Sequence, residues 1–418
     1  MVVTIALLGA CSESRDELDL RTDSESYAYK RDSEFSDVLK GCVLAATVAD
    51  ACTLDTLPFI GQRGAPDPAN IMERVVVTHD WMATRFEEML HLLPEDLLPL
   101  FGSTTAIFIG SYVNPSYYST WNGAIHIDPR FLWLSREEKA TISRKPDPRL
   151  EYGADLGFDA FRRFVLGQNN AWRNYSLTDE SERQHADIRL GLSRVLYHEL
   201  AHANDFMPHT VLGSVDTSLK VNSAVNSVRD SWVSRALSAE QPLNSDLLKS
   251  MALVRYRNNV ATAEEQLVDA AYAGSLMQND GANYFYGYYT EREDLAGLFE
   301  AIMMKLNFGV DMDFAFVSNP ETDDPDCSEY VVGWGVRGRL GNPLVASRAA
   351  FVAERILADP QRVEAMLGEQ AMTEQFMRPG DDWCENLILE DVSEVSSDKS
   401  SIHSGDMMRL READGQLD

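Results

Sequence analysis

The run LYHELAHAND, Leu196 to Asp205, holds two histidines four residues apart with a glutamate directly after the first. On a helix His198 and His202 are i and i+4, so both imidazoles leave one face and can share a metal ion, while Glu199 is rotated about 100° away. That offset has a chemical use. The carboxylate reaches a water on the open side of an ion without competing for the ion, which is where a general base sits in metal-assisted hydrolysis. Zn2+ suits such donors and lowers the pKa of its bound water to roughly 7, within range of a carboxylate base at neutral pH. The plain alternative is a pair of solvated histidines on an ordinary helix.

These residues need elements to position them. The spacing of Ile188, Leu192, Val195, Leu196 and Leu200 predicts a long helix from Glu182 to about Asp205 with one buried side. Upstream, NIMERVVVTHDWMATRFEEMLHLLPEDLLPLF has apolar residues at helical spacing, broken by Pro94 and Pro99, and is expected as a helix and a broken helix. TTAIFIGSY and NGAIHID are β-branched runs that predict strands of a small antiparallel sheet. Alternation in the second puts Ala124, His126 and Asp128 on one face and Ile125 and Ile127 on the other. Downstream of the motif the patterns are mostly helical, with EYVVGWGVRGRLG as a strand or hairpin. The expected fold is α+β, with sheet and motif helix in an N-terminal lobe (41–205), a mostly helical C-terminal lobe (206–390) and a cleft between them.

Through HELAH at His198 to His202 the chain resembles the zincin metallopeptidases, specifically over the motif helix and diffusely elsewhere. The subclass depends on the third ligand. The metzincin pattern requires glycine at 205 and histidine at 208, where this chain has Asp205 and Pro208, with His209 one residue late. The gluzincin pattern takes a glutamate from a later helix, and YYTEREDLAGLFEAIMM supplies Glu293, with Glu300 (on the same face at i+7) and Asp294 as alternatives. Ala296 and Gly297 are small enough to let that helix pack closely on the first. Thermolysin-like enzymes place an aspartate four residues after the ligand glutamate to hold a histidine; here that position is Gly297, so Asp294 or another group must take the task. Thr290 and Glu293 also have capping-box spacing, which offers Glu293 a purely structural role. The resemblance implies one zinc ion, Glu199 as base and then acid, and a peptide or protein substrate. Candidate oxyanion donors are the tyrosines of NYFYGYY, Tyr288 and Tyr289 above all, and His126 on a strand above the motif helix where an extended peptide could add. Two other readings stand beside this one: an envelope protein whose metal is structural and whose role is binding, and a metal-dependent amidase acting on cell-wall material.

The remaining sequence sets the context. A formal charge of -29 excludes nucleic acid as a partner. MVVTIALLGAC ends in Leu8-Gly9-Ala10-Cys11, which resembles the lipobox of bacterial lipoprotein signal peptides, so residues 1–11 are expected as signal and Cys11 as the lipidated residue. Residues 12–40 are polar and charged and are expected as a flexible tether, and 391–418 as a disordered acidic tail. Membrane contact would then run through the lipid alone, placing the protein in the bacterial cell envelope. Four further cysteines, Cys42, Cys52, Cys327 and Cys384, suit an oxidising compartment and two disulfides, with Cys42 to Cys52 and Cys327 to Cys384 favoured by proximity among three connectivities.

Overall fold

The computed structural model describes residues 18–147, 152–320, 322, 325–368 and 372–389. The expected lipidation site, Cys11, and the expected acidic tail lie outside these residues. The chain is mixed α+β, with two five-stranded sheets.

The first sheet contains β1 (Tyr27–Ala28), β2 (Val75–Val77), β3 (Ala106–Ile109), β4 (Tyr117–Tyr118) and β5 (Ala124–Ile127), in the order β1-β2-β3-β5-β4. Its centre is parallel, not antiparallel as the sequence suggested: β2 runs with β3, and β3 runs with β5, pairing Ile107 with Ile125 and Ile109 with Ile127. After β3 the chain passes beyond β5, lays down the short β4 and turns back, so the antiparallel hairpin joins β4 to β5. Both faces are covered, and for that reason VVV, AIFI and AIHI read as unbroken apolar runs. Val75, Val77, Ile107, Ile109, Ile125 and Ile127 enter the main core, while Val76, Ala106, Phe108 and Ala124 face a second cluster.

Two expectations fail in this region. The helix drawn through Val75 is interrupted by β2, which lies between helices Pro68–Met72 and Asp80–Leu90. Three consecutive β-branched valines suit a strand buried on both faces better than a helical turn. Nor is the supposed tether free from Leu18 onward. β1 pairs with β2, Arg21 donates to the carbonyl of Thr78 at 3.0 Å, and helix Ser36–Val43 buries Leu39, Cys42 and Val43. These few apolar side chains, with Phe35, close the second face of the sheet.

The second sheet is antiparallel throughout, with β6 (Asp159–Leu166), β7 (Asn169–Asn170), β8 (Asp311–Val317), β9 (Val332–Arg337) and β10 (Gln375–Phe376) in the order β10-β9-β8-β6-β7. It joins the two expected lobes, because β6 precedes position 205 and its partner β8 follows it. The C-terminal half is therefore not simply helical. One large core runs through both halves of the chain. Among the described residues no helix is long and apolar enough to cross a membrane.

Arg163, Asp313 and Arg337 lie side by side across β6, β8 and β9. Asp313 is fully buried and accepts from Arg163 Nε at 2.7 Å and from Arg337 Nε and Nη2 at 2.6 and 2.9 Å. Asp313→Asn keeps the shape but leaves two buried guanidinium groups without their counter-charge. The expected loss is about 1–3 kcal/mol, read from the midpoint of urea unfolding. Both disulfides join the pairs favoured by proximity, Cys42 to Cys52 and Cys327 to Cys384, with Cα separations of 5.3 and 5.6 Å.

Candidate metal centre

The motif helix spans His185–Phe206 and is buried continuously from Gly191 onward, so its histidines do not sit on a solvated face. Helix Glu291–Phe308 packs along it, with Tyr197 and Phe299 meeting edge to face at 6.2 Å. Gly297 serves a different neighbour from the one expected. A Cβ there would stand 2.2 Å from Cε1 of Tyr284, so the glycine admits that ring, whose face lies 5.0 Å from the Arg162 guanidinium.

Glu293 stands at the start of the second helix, where Thr290 accepts its backbone N–H at 3.2 Å. The cap is present, yet the Glu293 carboxylate points to the motif helix. One oxygen is 3.1 Å from His198 Nε2 and the other 3.2 Å from His202 Nε2. The three donor groups lie within 4.8 Å of one another, all buried, and among the described residues no other group of three or more has this character. Tetrahedral zinc with bonds of 2.0–2.1 Å needs donors about 3.3 Å apart. Each imidazole lies near that distance from its own oxygen of the Glu293 carboxylate, and the donor set of two imidazoles and one carboxylate suits zinc.

Glu300 supports this group and does not join it. Its Oε2 is 3.0 Å from His198 Nδ1, while Arg162 Nη1 and Arg194 Nη1 donate to its two oxygens at 3.2 Å each. All three partners are buried, Arg162 and Arg194 almost completely. Burial raises the Glu300 pKa, but the two guanidinium groups and His198 outweigh it and hold the carboxyl below its ordinary value. Burial likewise disfavours charge on His198, but hydrogen bonds and charge from Glu293 and Glu300 raise it well above the ordinary histidine value. Two carboxylates thus flank one imidazole, one at each nitrogen. Near His202, Asp205 is fully buried, accepts the Ser234 backbone N–H at 2.7 Å, and has a pKa raised by burial and opposed by the charges of His202 and Arg292.

Glu199 leaves the motif helix on the adjoining side. With Asp187, Ile188, Gly191, Arg194 and Val195 it forms one wall of a cavity of about 260 Å3; the three donor residues lie outside that wall. Phe131, Trp172, Tyr175 and Arg183 are among the facing residues.

Other expected residues are placed elsewhere. Asp294 forms a two-pronged pair with Arg348 of helix Pro343–Ile356 and so ties two helices together instead of orienting a histidine. The Tyr288 hydroxyl donates to Asp280 at 3.1 Å, and burial together with that carboxylate raises its pKa. Tyr289 stacks on Tyr286 at 5.7 Å. His126 is neither on the surface nor in the cleft. It lies on the face of β5 opposite Ile125 and Ile127, stacked on Tyr117 at 4.3 Å, and burial pushes its pKa down to about 3. Its strand is interior, and the edge beside the motif helix belongs to β4.

Sequence reasoning missed Arg162 and Arg194. Arg194 precedes His198 by one helical turn, so it was open to discovery by the same i+4 rule that pairs the histidines. Arg162 carried no such signal. Compared with family models, curated proteins and solved structures, the chain gives no match.

Proposed function

We propose that the chain is a zinc-dependent hydrolase of the zincin type that cleaves peptide bonds, with His198, His202 and Glu293 as metal ligands and Glu199 as the base. The observation that carries this reading is the convergence of three buried donors from two helices within 4.8 Å of one another, with Glu199 turned toward the neighbouring cavity. Bound there, zinc would polarise the scissile carbonyl and acidify a water. Glu199 takes the proton of that water and returns it to the leaving amine. Glu300, held by Arg162 and Arg194, fixes the ring of His198. Among the described residues the group has three donors, which favours a catalytic role over a structural one, because a structural zinc takes four protein ligands and a catalytic zinc keeps a position open. The two disulfides and the run Leu8 to Cys11 support export and a lipid anchor in the cell envelope as part of the same proposal.

Metal content tests the ligand set. Purified protein is expected to hold one zinc per chain by mass spectrometry of the metal. His198→Ala and Glu293→Ala are each expected to lose it, the histidine variant more severely. Wild-type protein that takes up no divalent metal at all would overturn the reading.

A further inference from the structure

Resting on the peptidase reading, we propose that the cavity beside Glu199 selects substrates bearing a carboxylate close to the scissile bond, and that Arg173 is the residue that selects it. Asp187, Ile188, Gly191, Arg194, Val195 and Glu199 follow one another at helical spacing, so the cavity floor is a single face of the motif helix leading directly to Glu199. An occupant of the cavity would lie beside Glu199. At about 260 Å3 it is smaller than the roughly 300–1,000 Å3 of a pocket for a drug-sized ligand. It has room for a side chain or a chain end.

Its arginines set it apart from the rest of the molecule. The chain carries a formal charge of -29, yet four arginines, Arg130, Arg173, Arg183 and Arg194, line this one cavity. Three of them are committed. Arg194 donates to Glu300, Arg130 to Asn114 at 3.0 Å, and Arg183 to the carbonyls of Trp133 and Arg130 at 2.9 and 2.8 Å. Arg183 also packs over the Trp133 ring at 3.7 Å and has the charge of Asp187 near it. The acids present are largely engaged as well. Asp187 accepts the Gln184 backbone N–H at 2.7 Å, Asp128 accepts the Arg130 backbone N–H at 2.9 Å and lies 3.7 Å from Arg130 Nε, and the third acid of the lining is Glu199 itself. Arg173 is exposed at the mouth, its guanidinium 5.0 Å from the Tyr175 ring, with no carboxylate partner among the described residues. An exposed guanidinium beside aromatic walls attracts an incoming anion, and it can meet a carboxylate with two parallel hydrogen bonds that a carboxamide cannot match.

The test compares peptides that differ only in Glu, Gln or Lys at each position flanking one scissile bond, all with amidated C-termini, plus one set with a free C-terminal carboxylate. Wild type is expected to favour Glu over Gln by about tenfold in kcat/KM at one flanking position. Arg173→Ala should bring that ratio close to one, and Arg173→Glu should shift the preference to Lys. If the preference appears only with the free C-terminus, the carboxylate recognised is that of a chain end. Cleavage with no preference for either carboxylate overturns the inference while leaving the peptidase reading intact. Should no peptide be cleaved, fluorescence anisotropy of the same labelled peptides still reads the inference: tighter binding of Glu than Gln, abolished by Arg173→Glu, upholds it, and equal binding overturns it.

Discussion

Glu199→Gln is expected to keep its zinc and to lose peptide hydrolysis by roughly 10² or more, the contribution of a positioned general base. The amide has nearly the shape of the carboxylate but cannot accept a proton at neutral pH. Because Glu199 faces the cavity and the proposed metal donors are His198, His202 and Glu293, binding and catalysis are expected to separate at this one side chain. The measurement is paired: metal per chain, and initial rates on a general peptide substrate. Loss of the metal together with activity would mean that Glu199 is part of the ligand set. A wild type that binds zinc but cleaves nothing, and a variant indistinguishable from it, would move the protein to the structural-metal reading.

The second large effect is expected at Glu300. Glu300→Ala removes the acceptor at His198 Nδ1 and the carboxylate shared by two buried arginines. Loss of such a supporting group typically weakens metal affinity by about 10–100-fold, and breaking a buried ion pair by deleting one partner costs about 3–5 kcal/mol. Zinc competition against a chromogenic chelator reads the first, and urea unfolding of metal-free protein reads the second. Glu300→Gln is expected to recover most of the affinity but less of the stability, since an amide can still accept from the ring but brings no charge to Arg162 and Arg194. If both variants bound zinc like wild type, Glu300 would serve only the fold.

The donors that come together in the site were all visible as residue types, but their partnership was visible only where it is local. His198, Glu199 and His202 share a helix, so spacing alone defines their faces. Glu293 lies 95 residues from His198, and what marked it was the resemblance and its position at a helix start. Glu300 stood out as a neighbour of Glu293 on the same face, yet nothing local says that its carboxylate meets Nδ1 of a histidine. Arg162 was invisible because DAFRRFVL reads as a charged interruption until β8, more than a hundred residues later, provides the partner that makes it a strand. The parallel first sheet was misread for a related reason. AIFI and AIHI look the same whether they run with or against each other, and direction is set by where β4 falls between them. His126 shows the limit of alternation: the pattern gave its face correctly but not that residues 18–45 cover that face.

The strand pairing of β6 with β8 has a consequence for synthesis. A ribosome delivers the two histidines well before Glu293, Glu300 and β8, and Arg162 waits 138 residues for the carboxylate that neutralises it. Contacts of such long range form late, after the entropy of closing the loop has been overcome. The growing chain therefore presents HELAH as a pair of imidazoles without the Glu293 carboxylate until the segment about 95 residues after His198 has emerged. On the proposed zinc site, metal capture would wait for the segment that closes the second sheet, and a chain cut short before Glu291 would carry the motif without its proposed carboxylate ligand.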